Sequence, residues 1–284
     1  MDHLSPQNIK AFQDKILTWY GAHQRDLPWR KSRDPYRILV SEIMLQQTQV
    51  NRVIPKYEAW LEAFPTVHEL ANAPVSEVLK NWSGLGYNRR ALNLKKTAQV
   101  IVEKYGGTFP SDEKELLALP GIGQYTARAV MCFAFNLHVS VVDINVKKVI
   151  LTQLLKEPGT LSLADTSEMK KVNDKEIAAI ADSLVPQGRA YDWNQALMDY
   201  SSLVLKKEKI DIPKQSKFKG SRRYYRGQII KKLLDKKEIF LHELGPLIKA
   251  DYTDNDFNWL KELTEEMHKE GFVTIQKNVL KLSA

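Results

Sequence analysis

One cysteine in 284 residues, Cys132, is too few for a disulfide framework or a thiolate metal cluster. It sits in the apolar run MCFAF, where a thiol acts as buried filler. The six histidines, at 3, 23, 68, 138, 242 and 268, fall at no metal-ligand spacing, so no zinc site is expected. There is no run of about 18 apolar residues of the kind that crosses a bilayer. The start MDHLSPQNIK lacks the charged-then-apolar order of a signal peptide, so a cytoplasmic chain is expected. What is present, 43% apolar residues, suffices for two globular domains or one with an appendage.

Acidic residues are scarce in one place. Between Lys206 and Lys237 thirteen Lys and Arg face three Asp and Glu, a local net charge of +10 against −2 for the remainder. A basic stripe interleaved with Phe218, Tyr224 and Tyr225 suits a phosphate backbone, which rewards each neutralised charge by counterion release. A solvated flexible linker would show the same charge.

The organising stretch is Leu119 to Asn145. Leu119-Pro120-Gly121-Ile122-Gly123 lies between helical patterns at Lys114 to Leu119 and Tyr125 to Phe135, which predicts a helix-hairpin-helix. Backbone amides at such a hairpin, feeding a helix N-terminus, hold one phosphate without reading its base. Asp143 follows HVSVV and precedes INVKKVILTQLLK, so it is expected to cap a helix and to be held ionised by the amides it caps. Upstream, residues 7 to 20 predict an amphipathic helix through Ile9, Phe12, Ile16, Leu17 and Tyr20. The proline-broken RDLPWRKSRDPYR follows, and its Trp29 and arginines 25, 30 and 33 either line a cleft or pack the loop.

A helical stretch is expected from Ile38 to Tyr57, with Glu42 among Ile38, Leu39, Ile43 and Leu45. If Glu42 faces inward, desolvation raises its pKa toward proton donation; if outward, it is an ordinary surface residue. Gln46, Gln47, Thr48 and Gln49 form a neutral polar cluster that could fill the space of an extruded base. In SGLGYNRR, Tyr87 stands beside paired glycines and Arg89-Arg90, either a wedge with a phosphate contact or a capped helix end. Further helices are expected at Lys175 to Leu184 and Asn194 to Lys206. The tail then reads as three helices, YYRGQIIKKLLD, FLHELGPLI and DFNWLKELTEEMHKEG, and a hairpin about Lys277-Asn278, the pattern of a winged helix. Its third helix carries Asp256, Glu262, Glu265 and Glu266, an acidic surface ill suited to a major groove.

In order along the chain, RDLPWR, SEIMLQQTQV, GLGY, LPGIGQYTA, VVDINVKKV and WNQALMD resemble the motifs of the A/G-specific adenine DNA glycosylases of the helix-hairpin-helix, endonuclease III-like superfamily, over about Leu17 to Leu205. The resemblance implies an all-α, two-lobed glycosylase fold, to which the tail, read from its own pattern, adds a small winged-helix-like (α+β) domain. The expected divisions are a six-helix lobe at 26–140 and a second lobe from 1–25 with 141–211, followed, from composition and pattern, by a basic linker at 212–226 and the winged-helix-like part at 227–284. It assigns Glu42 as general acid/base and Asp143 as stabiliser of the sugar cation, with Tyr125 and Asn145 beside them. Tyr125 stands where bifunctional relatives carry a Lys, so no Schiff-base lyase activity is expected. A base pocket of Arg25, Trp29, Arg30, Val50 and Gln195 follows from the same comparison. So does a DNA-contact set of Gln46, Gln47, Thr48, Leu85, Tyr87, Arg89, Gly121, Gly123, Gln124 and Thr126, to which the basic stripe adds Lys217, Lys219, Arg222 and Arg223.

Val50 and Gln195 resemble the adenine-excising branch, and an amide can pair with an adenine edge. VMCFAF and SLVPQGRAYDW resemble the thymine mismatch glycosylases instead. The family's four cluster cysteines after LMD are absent, with Leu205 at the first position, so this resembles a clusterless member needing no iron-sulfur cofactor. No stretch resembles the family's 8-oxoguanine-checking domain. The expectation is a monomeric, nucleoid-associated enzyme that flips and excises mispaired adenine from double-stranded DNA. A thymine/uracil mismatch glycosylase and a noncatalytic DNA-binding protein are the alternatives.

Overall fold

The computed structural model describes residues 5–154, 173–208 and 216–283. These fall into two compact units, one within Met1–Glu42, Pro110–Ala118 and Ile122–Pro213, the other within Ile43–Phe109, Leu119–Gly121 and Lys214–Ala284. Among the described residues the protein is mainly helical, with one small sheet near its C-terminus.

The first unit begins with α1 (Pro6–His23), where Ser5 caps the helix by accepting from the Asn8 amide at 3.2 Å. Its Phe12, Ile16 and Tyr20 are buried at helical spacing, as the periodicity predicts. A short 3₁₀ turn at Pro28–Lys31 precedes α2 (Pro35–Leu45), which begins in this unit and carries Glu42. After α7 (Glu113–Leu117) come α8 (Gln124–Phe135) and α9 (Ile144–Val149), the last widening into a π-type turn at Ile150–Leu154. The unit closes with α10 (Asp174–Ser183) and α11 (Ala190–Leu203). One apolar core unites α1, α8, α9 and α11, with Phe12 edge-on to Trp193 at 5.7 Å between centroids. Cys132 lies inside it, and burial pushes its thiol up to about 12.

The second unit holds α3 (Val50–Ala63), α4 (Val67–Asn72), α5 (Val75–Trp82) and α6 (Arg89–Tyr105). The chain does not run as one helix from Ile38 to Tyr57: α2 stops at Leu45 and Gln47 takes a positive φ of 54° before α3 begins. Trp60 packs edge-on against Trp82 and Phe64.

The tail belongs to this unit. It comprises α12 (Arg222–Lys236), β1 (Glu238–Phe240), α13 (Leu241–Ile248), α14 (Phe257–Lys269), β2 (Val273–Gln276) and β3 (Val279–Leu282). The antiparallel sheet runs β1-β3-β2, pairing Ile239 with Leu280 and Ile275 with Leu280, which is a winged-helix arrangement with one strand more than the two expected. Gly245 permits a close crossing: a Cβ there would lie 2.2 Å from the Tyr252 ring. Of the expected linker at 212–226, residues 212–215 lie outside the described residues, and Arg222 to Arg226 form the start of α12.

Candidate active site

Glu42 faces inward. It is 5% exposed, and burial raises its carboxyl from 4.5 to about 7. The Tyr125 hydroxyl, which donates to Glu42 Oε2 at 2.7 Å, opposes that rise, the charge of Asp143 adds to it, and Arg30 opposes it. Tyr125, in the first turn of α8, is itself pushed well above the usual phenol range by burial and by the charges of Glu42 and Asp143. It therefore stays a neutral donor.

Asp143 caps α9 as the sequence predicts. Its Oδ1 accepts from the amides of Asn145 and Val146, each at 2.8 Å, and its Oδ2 accepts from Asn145 Nδ2 at 2.7 Å. The preceding segment is pinned by Val141 N donating to the buried Asn194 Oδ1 at 2.7 Å. The expectation that Asp143 is held ionised by the amides it caps meets an opposing effect. Shelter by surrounding protein raises its pKa and outweighs the three N–H donors, so both carboxyls shift upward. They differ in what holds the anion: Asp143 has three N–H donors, Glu42 one hydroxyl. A single negative charge shared by the pair therefore rests on Asp143 and the proton on Glu42.

Three residues not singled out from the sequence hold this arrangement. Ser201, buried on α11, donates to Asn145 Oδ1 at 3.1 Å and so orients the amide that meets Asp143. Asp199, also on α11 and fully buried, accepts from Arg25 Nε at 2.6 Å and from Arg30 Nη1 and Nη2 at 2.7 and 2.8 Å. Burial would raise Asp199, but the hydrogen bonds and charge of Arg30, with Arg25, hold it below the usual carboxylate range. The charges of these two expected pocket arginines are thus largely spent on Asp199. The third, Arg128, ties α8 to Asp182 at 2.8 Å.

Gln195 is 5% exposed and lies one turn from both Tyr191 and Asp199 on α11, hence on one stripe of the helix. Among the described residues its amide has no hydrogen-bond partner. Trp29 is buried in the 3₁₀ turn but does not line the cavity of about 340 Å³ that Tyr20, Arg25, Arg30, Lys31 and Tyr191, among others, enclose. Val50 begins α3 in the second unit, half-buried.

The expected DNA-contact residues of the second unit gather around two strained turns. Gln47 is exposed at φ 54°, and Tyr87 takes φ 49°. Arg90, read from sequence as an outward phosphate ligand or cap neighbour, turns inward and joins these turns. Its Nη1 donates to the carbonyls of Ile43 at 2.7 Å and Gln46 at 2.6 Å, and its Nη2 donates to those of Leu85 at 3.3 Å and Gly86 at 3.2 Å. Burial lowers its pKa to about 10. Gln46 and Thr48 are half-buried in the first turn, and Leu85 is buried in the second. Arg89 pairs with Glu270, Arg222 with Glu266, and Arg223 with the Tyr87 hydroxyl, while Lys217 and Lys219 stay exposed.

At the hairpin, Gly121 has φ 75°, and a Cβ there would lie 2.4 Å from Asn93 Nδ2. The turn is fixed by Thr97 Oγ1 donating to the Pro120 carbonyl at 2.8 Å. Gly123 supplies the extended cap of α8, Gln124 donates to Glu113 at 2.6 Å, and Thr126 is buried.

Residues 40–159 match the family described as HhH-GPD superfamily base excision DNA repair protein. A thymine/uracil-DNA glycosylase of Methanothermobacter thermautotrophicus is 36% identical over 205 residues, 72% of this chain and 89% of that protein. The chain belongs to the HhH-GPD superfamily of base excision DNA repair proteins. An adenine DNA glycosylase of Mycolicibacterium smegmatis is 42% identical over 191 residues, 67% of this chain and 62% of that protein. Another, from Buchnera aphidicola, is 38% identical over 68% of this chain, and the chain spans 53% of its length. Among solved structures, a thermostable thymine-DNA glycosylase superposes with a TM-score of 0.61 at 36% identity, covering 69% of this chain and 87% of that one.

An iron-sulfur cluster, which the superfamily resemblance raises, does not fit the donor set. Four thiolates are needed, whereas the one thiol is Cys132 in the core and Leu205 is a buried apolar side chain. Among the described residues no group of His, Cys, Asp or Glu could hold a metal ion, and no helix is long and apolar enough to cross a membrane.

Proposed function

We propose that this chain is a monofunctional DNA glycosylase that removes mispaired adenine from duplex DNA and works without an iron-sulfur cluster. The observation that carries the reading is the buried Glu42 carboxyl, raised to about 7 and bonded to Tyr125, within electrostatic reach of the capped Asp143. Gln47 and Tyr87 take the place of the extruded nucleotide, and the hairpin amides about Gly121 and Gly123 hold a phosphate.

Because Tyr125 occupies Oε2, the transferable proton is assigned to Glu42 Oε1. Glu42 gives it to a ring nitrogen of adenine, and the bond between the sugar C1′ and the base breaks with its electron pair going to the base. The Asp143 carboxylate faces the resulting oxocarbenium ion. Water then adds at C1′ and returns a proton to Glu42. With a neutral phenol at position 125, no amine stands there to form a Schiff base.

Gln195 supports adenine as the target: a buried amide with free hydrogen-bonding capacity can pair with the adenine edge, and an unmatched base would leave it unsatisfied. One observation favours a second reading. The thymine/uracil relative is matched over 89% of its length, whereas the two adenine relatives are matched over 53% and 62% of theirs. Single-turnover assays on duplexes holding A:8-oxoguanine, A:G, T:G and U:G separate the two. Adenine release from the first pair of duplexes is expected, and release confined to T:G and U:G would replace this reading with the second. Gln195→Leu is expected to weaken adenine excision relative to thymine.

A further inference from the structure

The winged-helix tail does not present its third helix in the usual way. The exposed side chains of α14 include Glu262, Glu265 and Glu266, which repel a phosphate backbone. Its C-terminal end is also tied down, since Glu270 pairs with both Arg89 and Arg226 and its carbonyl accepts from Lys96 at 3.2 Å. The basic residues of the tail cluster instead on the approach to α12, where Lys217 and Lys219 stay exposed, Arg222 pairs with Glu266 of α14, and Arg223 follows.

Two features make that end more than a charged surface. Arg223 Nη1 donates to the Tyr87 hydroxyl at 3.0 Å, and its guanidinium lies 4.8 Å from the centre of the Tyr87 ring and 5.5 Å from that of Phe218. Phe218 is 55% exposed yet held: it stands edge-on to Tyr224 at 5.6 Å, and the ladder continues through Tyr225 to Trp259. A rigidly backed, water-facing ring amid cations matches the stacking platforms that bind unpaired bases. It lies on the same arginine as the residue expected to enter the duplex.

We propose that Phe218 is a second stacking residue for DNA opened at the lesion, and that Arg223 is a positioning residue coupling it to Tyr87. This rests on the reading of the chain as a duplex-binding glycosylase. The tail thereby serves lesion recognition through the approach to α12 rather than through a helix in the major groove. Phe218 meets a base that has lost its stacking partner, so its contribution appears on an opened duplex and is small on an intact one.

The test uses the full chain and two probes: a duplex with a tetrahydrofuran abasic site opposite guanine, and the same duplex without a lesion. Phe218→Ala is expected to weaken binding to the abasic duplex about 10-fold, the scale of one base–aromatic stack, with less than about 2-fold change on the intact duplex. Phe218→Trp restores the preference, which a merely structural role would not. Arg223→Ala, with unchanged thermal stability, is expected to reduce the fluorescence rise of 2-aminopurine placed at the flipped position. Arg223→Lys, keeping charge but losing the planar fork, is expected to recover it only in part. Equal affinity of wild type and Phe218→Ala for the abasic duplex, with wild type still preferring it over intact DNA, overturns this inference alone. A wild type that binds both duplexes equally overturns the glycosylase reading as well.

Discussion

A Glu42→Gln variant is expected to unfold at a higher temperature than the parent chain at pH 8 and at the same temperature near pH 4.5. The Glu42 carboxyl titrates at about 7 in the folded chain against 4.5 when exposed. Between these values the folded state holds a proton that the unfolded state releases, so stability falls as pH rises through the window and levels off above it. A gap of about 2.5 pKa units corresponds to roughly 3 kcal/mol. Gln occupies the same volume, can accept from Tyr125 and carries no charge, so it escapes that cost. At 2–4 °C per kcal/mol, the melting difference should grow from near zero to about 6–12 °C. Differential scanning of both proteins in matched buffers from pH 4.5 to 8.5 measures it. A constant difference across that range, or a variant that becomes less stable as pH rises, would refute the desolvation argument.

The remaining expectations concern the groups around that carboxyl. Tyr125→Phe removes a bond that favours the Glu42 anion, so the alkaline limb of the single-turnover rate should move above about 7; an unmoved limb means another group titrates there. Asn145→Ala takes a donor from the Asp143 carboxylate and should slow excision about 10- to 100-fold, whereas Ser201→Ala loses only a neutral bond and should cost about 2- to 10-fold. The reverse ranking, read from the same rates, would contradict the proposed chain from Ser201 to Asp143. Asp199→Ala leaves the buried Arg30 guanidinium unpaired and should cost about 3–5 kcal/mol in urea unfolding; a loss below about 1 kcal/mol would place the arginines in water.

Much of this site could be read from the chain. Period and capping chemistry specify α1, the hairpin and Asp143 at the start of α9, because local interactions decide those conformations. Whether Glu42 points inward could not be read, since its helix has apolar residues on most of its circumference. The break after Leu45 was also hidden: no glycine or proline marks it, and the positive φ at Gln47 is stabilised by Arg90, which lies far along the sequence. Arg90 looked like a surface cation for the same reason, its acceptors being carbonyls that carry no sequence signal. Asp199 stands in WNQALMD one turn after Gln195, yet nothing local announces its two arginine partners. The strand β1 is three residues long and owes its existence to β3, which a propensity pattern of that length cannot indicate.

The most direct measurement is the single-turnover rate of adenine release from A:8-oxoguanine and A:G duplexes by the parent chain and by Glu42→Gln at pH 6.5. The account predicts release by the parent and a loss of at least about 100-fold in the variant, the scale of general-acid catalysis, with duplex binding retained. A Glu42→Gln protein that releases adenine at the parental rate would contradict it.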